Sequence, residues 1–422
     1  QYFDELLARS FFQQSSYNTS CFVMHDLFND LAMFVAGDKC SRMKENLPSK
    51  ISEKVRHLSF KRSEYETYPR FNFLDEVQKL RTFLPLSVNP WLSSHLSHRI
   101  LLHQLPKLYC LRVLSLNDYE IFELPDSIGD LRHLRYLGLA KTKLKWLPES
   151  VCALINLQVL ILRGCRNLAK LPTSMENLIN LRHLDISGTN KLHEMPRGIA
   201  QLTSLRTLTK MTASKNNGMR LKDLGNLSSL QGEISIEELQ NVVNVQEMDA
   251  RLMDKPSLNE IRLAWSEDFD DSRNKLFELD VLNALKPHEK LSTLEIMYYG
   301  GENFSNWIGD SAFLKLEKIS FEFCENCTTL PPLGQLLSLR DLTIRGISQV
   351  KVIGAEFYGN RGIGELPFPS LINLTFEDMS NWEEWHGIEG VIKLPRLHEL
   401  NIRSCSKIGQ ASKNSYCHPL VN

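Results

Sequence analysis

The chain has 422 residues, enough for two or three ordinary domains or one long repeat array. Apolar residues make up 42% and charged residues 23%, a balance that argues against a disordered tail; a net charge of -1 and a pI near 6.9 argue against a net-basic nucleic-acid binder. No apolar run reaches the ~18 residues of a transmembrane helix, and Gln1–Glu5 does not open a signal peptide. Nine cysteines, an odd number without a regular framework, fit a reducing compartment.

Residues 1–40 read as helix, hairpin, helix. Phe3–Ala8 suits a helix with Leu6 and Leu7 on its apolar side. Phe11–Gln14 and Cys21–Met24 read as strands around a polar turn. A second helix follows, with Asp26 as its expected N-cap and Leu27, Leu31 and Val35 on one face expected to be buried. This order resembles the end of a winged-helix domain. Residues 41–110 read as a linker and degenerate opening repeats, with Val55–Phe60 and Leu80–Phe83 as the first units.

Over 111–410 the pattern L-x-x-L-x-L recurs. It starts at Leu111, Leu134, Leu157, Leu181 and Leu205, at intervals of 23, 23, 24 and 24 residues. Looser starts follow at Leu230, Leu258, Leu291, Leu316, Leu339, Leu371 and Leu397; intervals of 33 after Leu258 and 32 after Leu339 imply insertions. The 68 leucines, about one residue in six, are the compositional trace of this leucine-rich repeat. A single unit cannot bury its own apolar face, so units must stack. The expected fold class is therefore α/β: a leucine-rich-repeat solenoid, a horseshoe with a concave parallel sheet, preceded by the end of a winged-helix domain. Leu-Pro pairs (Leu124-Pro125, Leu147-Pro148, Leu171-Pro172) mark the non-helical convex returns. Residues 411–422 read as a tail.

Alternation along each strand assigns a candidate ligand-recognition face. It comprises Arg135, Tyr136, Gln158, Ile161, Arg163, Arg182, Asp185, Trp265, Met297, Tyr298, Tyr299, Glu322, Phe323, Arg340, Arg345, Glu377 and Arg403. Trp265, Tyr298, Tyr299 and Phe323 are its expected aromatic anchors. Cys165, Cys324 and Cys405 share one slot with Thr142 and Thr189, where a small side chain fits an inward bend; Cys324 and Cys327 thus read as structural rather than as zinc ligands. Residues 111–210 carry 14 Lys/Arg against 9 Asp/Glu, and 231–330 carry 9 against 20, with Glu267, Asp268, Asp270 and Asp271 placed in an insertion.

No catalytic constellation is found. His193-Glu194, His288-Glu289 and His398-Glu399 each lack the second histidine of a zinc motif, and no nucleophile elbow occurs. The expectation is a non-enzyme without metal.

Leu6–Gln13 followed by Met24-His25-Asp26-Leu27 resembles the close of the nucleotide-binding (NB-ARC) module of plant nucleotide-binding leucine-rich-repeat disease-resistance proteins. Val55–Ser59 is similar to that family's entry into its repeats, and Leu330–Leu336, Phe376–Met379 and Trp382–Trp385 resemble late repeats of its coiled-coil class. The resemblance implies a C-terminal portion of a cytoplasmic innate-immune receptor whose repeats recognise a pathogen effector or a guarded host protein. It implies that Met24, His25 and Asp26 form part of an ADP/ATP switch, with His25 approaching the β-phosphate and Asp26 fixing the turn. No phosphate-binding G-x-x-x-x-G-K-[ST] loop exists in the chain, so the nucleotide would belong to the parent protein and its nucleotide-binding module. The chain is then an excerpt or a truncated product. The alternative is a repeat scaffold such as a ubiquitin-ligase adaptor.

Overall fold

The computed structural model describes residues 2–15, 22–43, 51–86, 94–215, 217–269, 273–359, 366–387 and 394–408. Asp270, Asp271, most of the polar turn at 15–20 and the tail at 411–422 lie outside the described residues.

Helix α1 (Tyr2–Ala8) leads into an antiparallel hairpin of β1 (Phe12–Gln14) and β2 (Phe22–Met24), with Phe12 opposite Met24. Helix α2 (Asp26–Ala36) follows. Phe3 packs on Phe12 and Phe22 with ring centroids 5.1 and 5.0 Å apart, and Phe11 lies 4.3 Å from Phe28. These rings form the cluster that holds the small unit together. The expected burial of Leu27, Leu31 and Val35 is not observed: they are 73%, 55% and 76% exposed. The rings of a two-stranded unit of this size cover one face of α2, leaving nothing for the other.

The repeats form two parallel eight-stranded sheets. The first runs from β3 (Cys40–Met43) and β4 (His57–Lys61) through 82–86, 113–115, 136–138, 159–161 and 183–185 to 207–208. The second runs from 210–212 through 232–237, 258–264, 293–297, 318–322, 341–345 and 373–377 to 399–403. The stretch 41–110 thus contributes strands to the first sheet. Register places like on like: Leu137 pairs with Leu160, and Leu160 with Leu184. Leu134, Leu137, Leu139, Leu157, Leu160 and Leu162 are fully buried and join one continuous core. Fully burying one such side chain stabilises by roughly 1.5–3 kcal/mol, and each does so only because its neighbours present the same leucine.

On the convex side, short 3-10 turns at Asp126–Asp130, Glu149–Ala153 and Arg197–Gln201 begin directly after Pro125, Pro148 and Pro196. The prolines sit at φ -72°, -68° and -62°, and their missing N–H groups fall where no hydrogen bond is made. Turn stacking is tight there: a Cβ on Gly129 would lie 2.5 Å from the Ser150 carbonyl oxygen.

The two sheets separate at one inserted residue. Elsewhere the inward residues are two apart, as in Ile234 and Ile236, but Leu208 and Met211 are three apart and all four are buried. This bulge breaks the ladder. Lys210 beside it is 5% exposed, and its Nζ donates to Glu237 Oε2 (2.7 Å) and the Thr189 carbonyl (3.2 Å).

Two adjacent substitutions test the inward–outward assignment. Leu160→Ala should cost about 2–5 kcal/mol in urea unfolding, whereas Ile161→Ala should cost about 1 kcal/mol or less. Equal costs would contradict the alternation.

Candidate recognition surface

The concave surface is shaped by a recurring turn. Just past many of the strands one residue adopts positive φ: Asp118 (61°), Lys141 (57°), Gly164 (72°), Gly188 (68°), Glu238 (60°), Tyr298 (56°), Phe323 (56°), Gly346 (66°), Asp378 (55°) and Ser404 (54°). Its N–H still donates to the next repeat, as from Tyr298 to the Glu322 carbonyl (2.9 Å) and from Phe323 to the Arg345 carbonyl (2.8 Å). The following residue then turns into the core: Tyr119, Thr142, Cys165, Thr189, Tyr299, Cys324, Ile347 and Met379 are all buried.

Glycine adopts this conformation freely, whereas a residue with a Cβ pays roughly 1–2 kcal/mol. Tyr298 and Phe323 are therefore two aromatic residues held where glycine, aspartate, serine or, at Lys141 and Glu238, a flexible charged chain serves other repeats. Their rings stack, 5.4 Å apart at 10°, and the Arg345 guanidinium covers Phe323 at 5.1 Å. Such contacts return about 0.5–1.5 kcal/mol for the pair and about 0.5–1 kcal/mol for the exposed cation. That leaves part of the strain uncompensated, held in a half-exposed platform.

The platform is braced from behind. Arg273, from the insertion after the 258–264 strand, makes a bidentate pair with Glu278 (2.7 and 2.8 Å) and donates to the Tyr298 carbonyl (2.8 Å) and the Ser266 carbonyl (3.0 Å). Glu278, on helix α3 (Lys275–Ala284), also accepts from the Gly300 N–H at 2.8 Å. Both side chains are nearly fully buried. Fork-to-fork geometry of this kind fixes orientation as well as charge.

Two expected anchors are corrected. Trp265 and Tyr299 are 3% and 0% exposed, so neither lies on the recognition face. Tyr299 follows the positive-φ turn, which reverses the strand's alternation and sends it inward; its hydroxyl donates to the Asn303 carbonyl at 2.8 Å. Trp265 has no such turn and packs edge-on against Tyr299 at 5.1 Å. Met297 is likewise buried, under the Arg262 guanidinium. Arg135, Gln158, Arg182 and Arg340 stand one residue before their strands, at the sheet edge, rather than on outward strand positions. Tyr136, Ile161, Asp185, Glu322, Arg345 and Glu377 are half-exposed on the concave strands; Arg163 and Arg403 are exposed beside them.

The second sheet's concave face is acidic. Glu237, Glu260, Glu295, Glu322 and Glu377 face out between Arg262 and Arg345. A hollow of about 230 Å³ there is lined by Glu233, Glu260, Arg262, Thr293 and Glu295. Burial pushes the Glu295 carboxyl above its usual range, Arg262 opposes the shift, and Glu322 adds to it.

At the other end, His25 rather than Asp26 is the N-cap of α2. Its Nδ1 accepts from the Leu27 N–H at 3.3 Å, and Asp26 is the first helical residue, where its charge favours the positive helix end. Met24 ends β2, so Met24, His25 and Asp26 are contiguous at an exposed strand-to-helix junction.

The cysteine slot is structural. Cys165 Sγ contacts the Leu139 carbonyl oxygen at 3.0 Å and Cys324 Sγ the Ile296 carbonyl oxygen at 3.7 Å, each in the preceding repeat. Cys327 Sγ reaches the Gly301 carbonyl oxygen at 3.3 Å. Burial pushes the Cys324 thiol up to about 12 and that of Cys327 well above its usual value. The thiolate, the reactive form, is thus scarce there at pH 8. Iodoacetamide at that pH should modify exposed Cys40 and Cys110 in the native chain, and Cys165, Cys324 and Cys327 only after denaturation. Native labelling of Cys324, read by peptide mass spectrometry, would contradict this packing.

Comparison with known proteins places these features. Residues 1–32 match the model of the disease resistance protein winged helix domain, and residues 221–347 match the R13L1/DRL21 leucine-rich repeats. A disease resistance protein of Arabidopsis thaliana is 43% identical over 96% of the chain and 29% of its own length. A second from the same plant, RPP13-like protein 1, is 41% identical over 97% of the chain and 40% of its length. The disease resistance protein RGA2 of Solanum bulbocastanum is 33% identical over 95% of the chain and 38% of its length. The chain thus spans about three to four tenths of these relatives. Among solved structures, the functional domain of InlJ from Listeria monocytogenes aligns with a TM-score of 0.54 at 14% identity, covering 84% of this chain and 65% of that one. That likeness is one of fold: a leucine-rich-repeat solenoid. Among the described residues no helix is long and apolar enough to cross a membrane. By sequence and by both matched segments, the chain belongs with the winged-helix and leucine-rich-repeat region of the plant disease resistance proteins.

Proposed function

We propose that this chain is the recognition and restraining part of a cytoplasmic immune receptor and is itself non-catalytic. Its concave face, centred on Tyr298, Phe323 and Arg345, receives a pathogen effector or a guarded host protein. The observation that carries this reading is the braced aromatic pair: two large side chains kept half-exposed at a backbone cost, beside an acidic sheet. Partner binding that covers the rings would recover apolar area that folding leaves in water.

Met24, His25 and Asp26 are the second element of the proposal. The junction is exposed, and the adjoining α2 face, with Leu27, Leu31, Phe34 and Val35, is uncovered among the described residues. The nucleotide-binding module of the parent protein would cover that face and bring the ADP or ATP diphosphate toward His25. An imidazole donating to a sheltered phosphate makes a charge-assisted bond of about 1.5–3 kcal/mol. Its loss shifts a two-state equilibrium by tenfold or more, away from the ADP-bound resting form.

Both elements are testable in an intact receptor carrying these residues. Tyr298→Ala with Phe323→Ala should abolish pathogen-triggered cell death in leaf tissue at unchanged protein abundance. His25→Ala or Asp26→Val should instead raise cell death without any pathogen, while Asp126→Val, on a convex return, should not. Unaltered recognition by the aromatic variant would refute the first element, and background responses from both switch variants would refute the second.

A further inference from the structure

The residue immediately before each strand of the first sheet forms a row of its own. In chain order the row reads Lys39, Arg56, Arg81, Arg112, Arg135, Gln158, Arg182 and Arg206, so seven of its eight members are cationic. Backbone bonds fix the alignment: Arg56 N–H donates to the Lys39 carbonyl (2.8 Å), Arg112 to Arg81 (2.8 Å), Arg135 to Arg112 (2.8 Å), and Arg206 to Arg182 (2.7 Å). From Arg56 onward, Gln158 apart, the row follows one sequence rule, an arginine directly after the first apolar residue of the repeat. Its continuity ends at the bulge: equivalent positions in the second sheet include Gln231, Ser292, Glu317, Arg340, Ile372 and His398, where a single arginine stands between uncharged or acidic neighbours.

In lacking a carboxylate partner these cations resemble Arg132, Arg163, Arg166 and Arg340 among the described residues, and what sets them apart is their alignment in one row. Arg62, Arg70, Arg197, Arg220, Arg251, Arg262, Arg273 and Arg345 each have a carboxylate within 4.0 Å. Among the described residues, no such pair involves any of the seven cations of the row. Lys39, Arg112, Arg135, Arg182 and Arg206 are exposed. His57 and His183, beside the row, are held below the usual imidazole range, first by burial and then by Arg81, Arg56 and Arg112 or by Arg206 and Arg182.

We infer that this arginine edge is a second docking surface, distinct from the aromatic platform, for an acidic α-helix of a partner protein. The inference rests on the recognition role proposed above and assigns it a second partner surface. Spacing selects the helix. Neighbouring strands lie about 4.8 Å apart, so eight rungs extend for roughly 34 Å. Carboxylates on one face of a helix recur about every 5.4 Å, a drift of some 0.6 Å per rung that long guanidinium side chains absorb. In an extended peptide they recur about every 6.7 Å and fall out of step within a few rungs.

The test uses the full chain and a fluorescent helical peptide of about 23 residues, long enough to cover the row, with one Glu face. Anisotropy should show binding that weakens at least about tenfold between 50 and 300 mM salt. Arg112→Gln, Arg135→Gln and Arg182→Gln together should weaken it by more than about tenfold, while Arg132→Gln with Arg166→Gln, and Tyr298→Ala with Phe323→Ala, should leave it unchanged. Gln158→Arg fills the one uncharged rung and should tighten binding about threefold, an outcome that loss of folding cannot mimic. Equal binding of a sequence-scrambled peptide of the same charge, or of an oligodeoxythymidylate, would reduce the row to a generic polyanion surface and overturn the inference. So would indifference to the triple variant.

Discussion

Everything in this molecule depends on parallel backbone pairing between successive repeats. Each strand donates to the next in fixed register, so a residue type repeated at the same offset becomes a row across the sheet. The inward rows form the leucine core. The row after the strand forms the positive-φ turn, and the row before it forms the cationic edge. Stability and surface chemistry share one cause, because a one-residue slip would exchange buried leucines for charged neighbours.

The same constraint accounts for the division of the array. A single extra residue between Leu208 and Met211 ends the first sheet, and the buried Lys210 side chain ties the two sides by donating to the Thr189 carbonyl before the break and to part-exposed Glu237 after it. Before it lies the arginine edge; after it lie the acidic concave strands and the braced Tyr298–Phe323 platform. The chain's near-zero net charge conceals this polarity. Local fields decide how a partner approaches, and here the two halves present opposite signs.

The periodic part of the fold was readable from the chain alone. L-x-x-L-x-L at intervals of 23 and 24 residues specified the strands, the parallel sheet and the buried leucines, because only stacking can cover that pattern. The failures occurred where the period does not govern. Alternation placed Tyr299 outward, but a positive-φ residue at Tyr298 reversed the parity. Trp265 is the exception: it continues the inward parity of Ile261 and Leu263, with no positive-φ residue to turn it out, so its outward placement ran against the alternation itself. Asp26 is a good N-cap by type, yet His25 holds that position because the strand ends one residue earlier. The face of Leu27, Leu31 and Val35 was correctly apolar, but periodicity cannot say what covers it. The arginine edge was present in the sequence as a recurring Leu-Arg pair and becomes a surface only once the register aligns it.

The account's central claim is that function resides on the concave side and its edges, while the convex returns serve folding. A saturation scan of an intact receptor bearing these residues would test it directly, with defence response and protein abundance scored separately. Substitutions that abolish the response at normal abundance should gather at Tyr298, Phe323, Arg345, Glu322 and the arginine row. Exposed convex residues such as Ile155, Ile179 and Leu314 should tolerate change. If the abundance-neutral losses instead fell on those convex residues, or were spread evenly around the solenoid, the assignment of the recognition surface would be wrong.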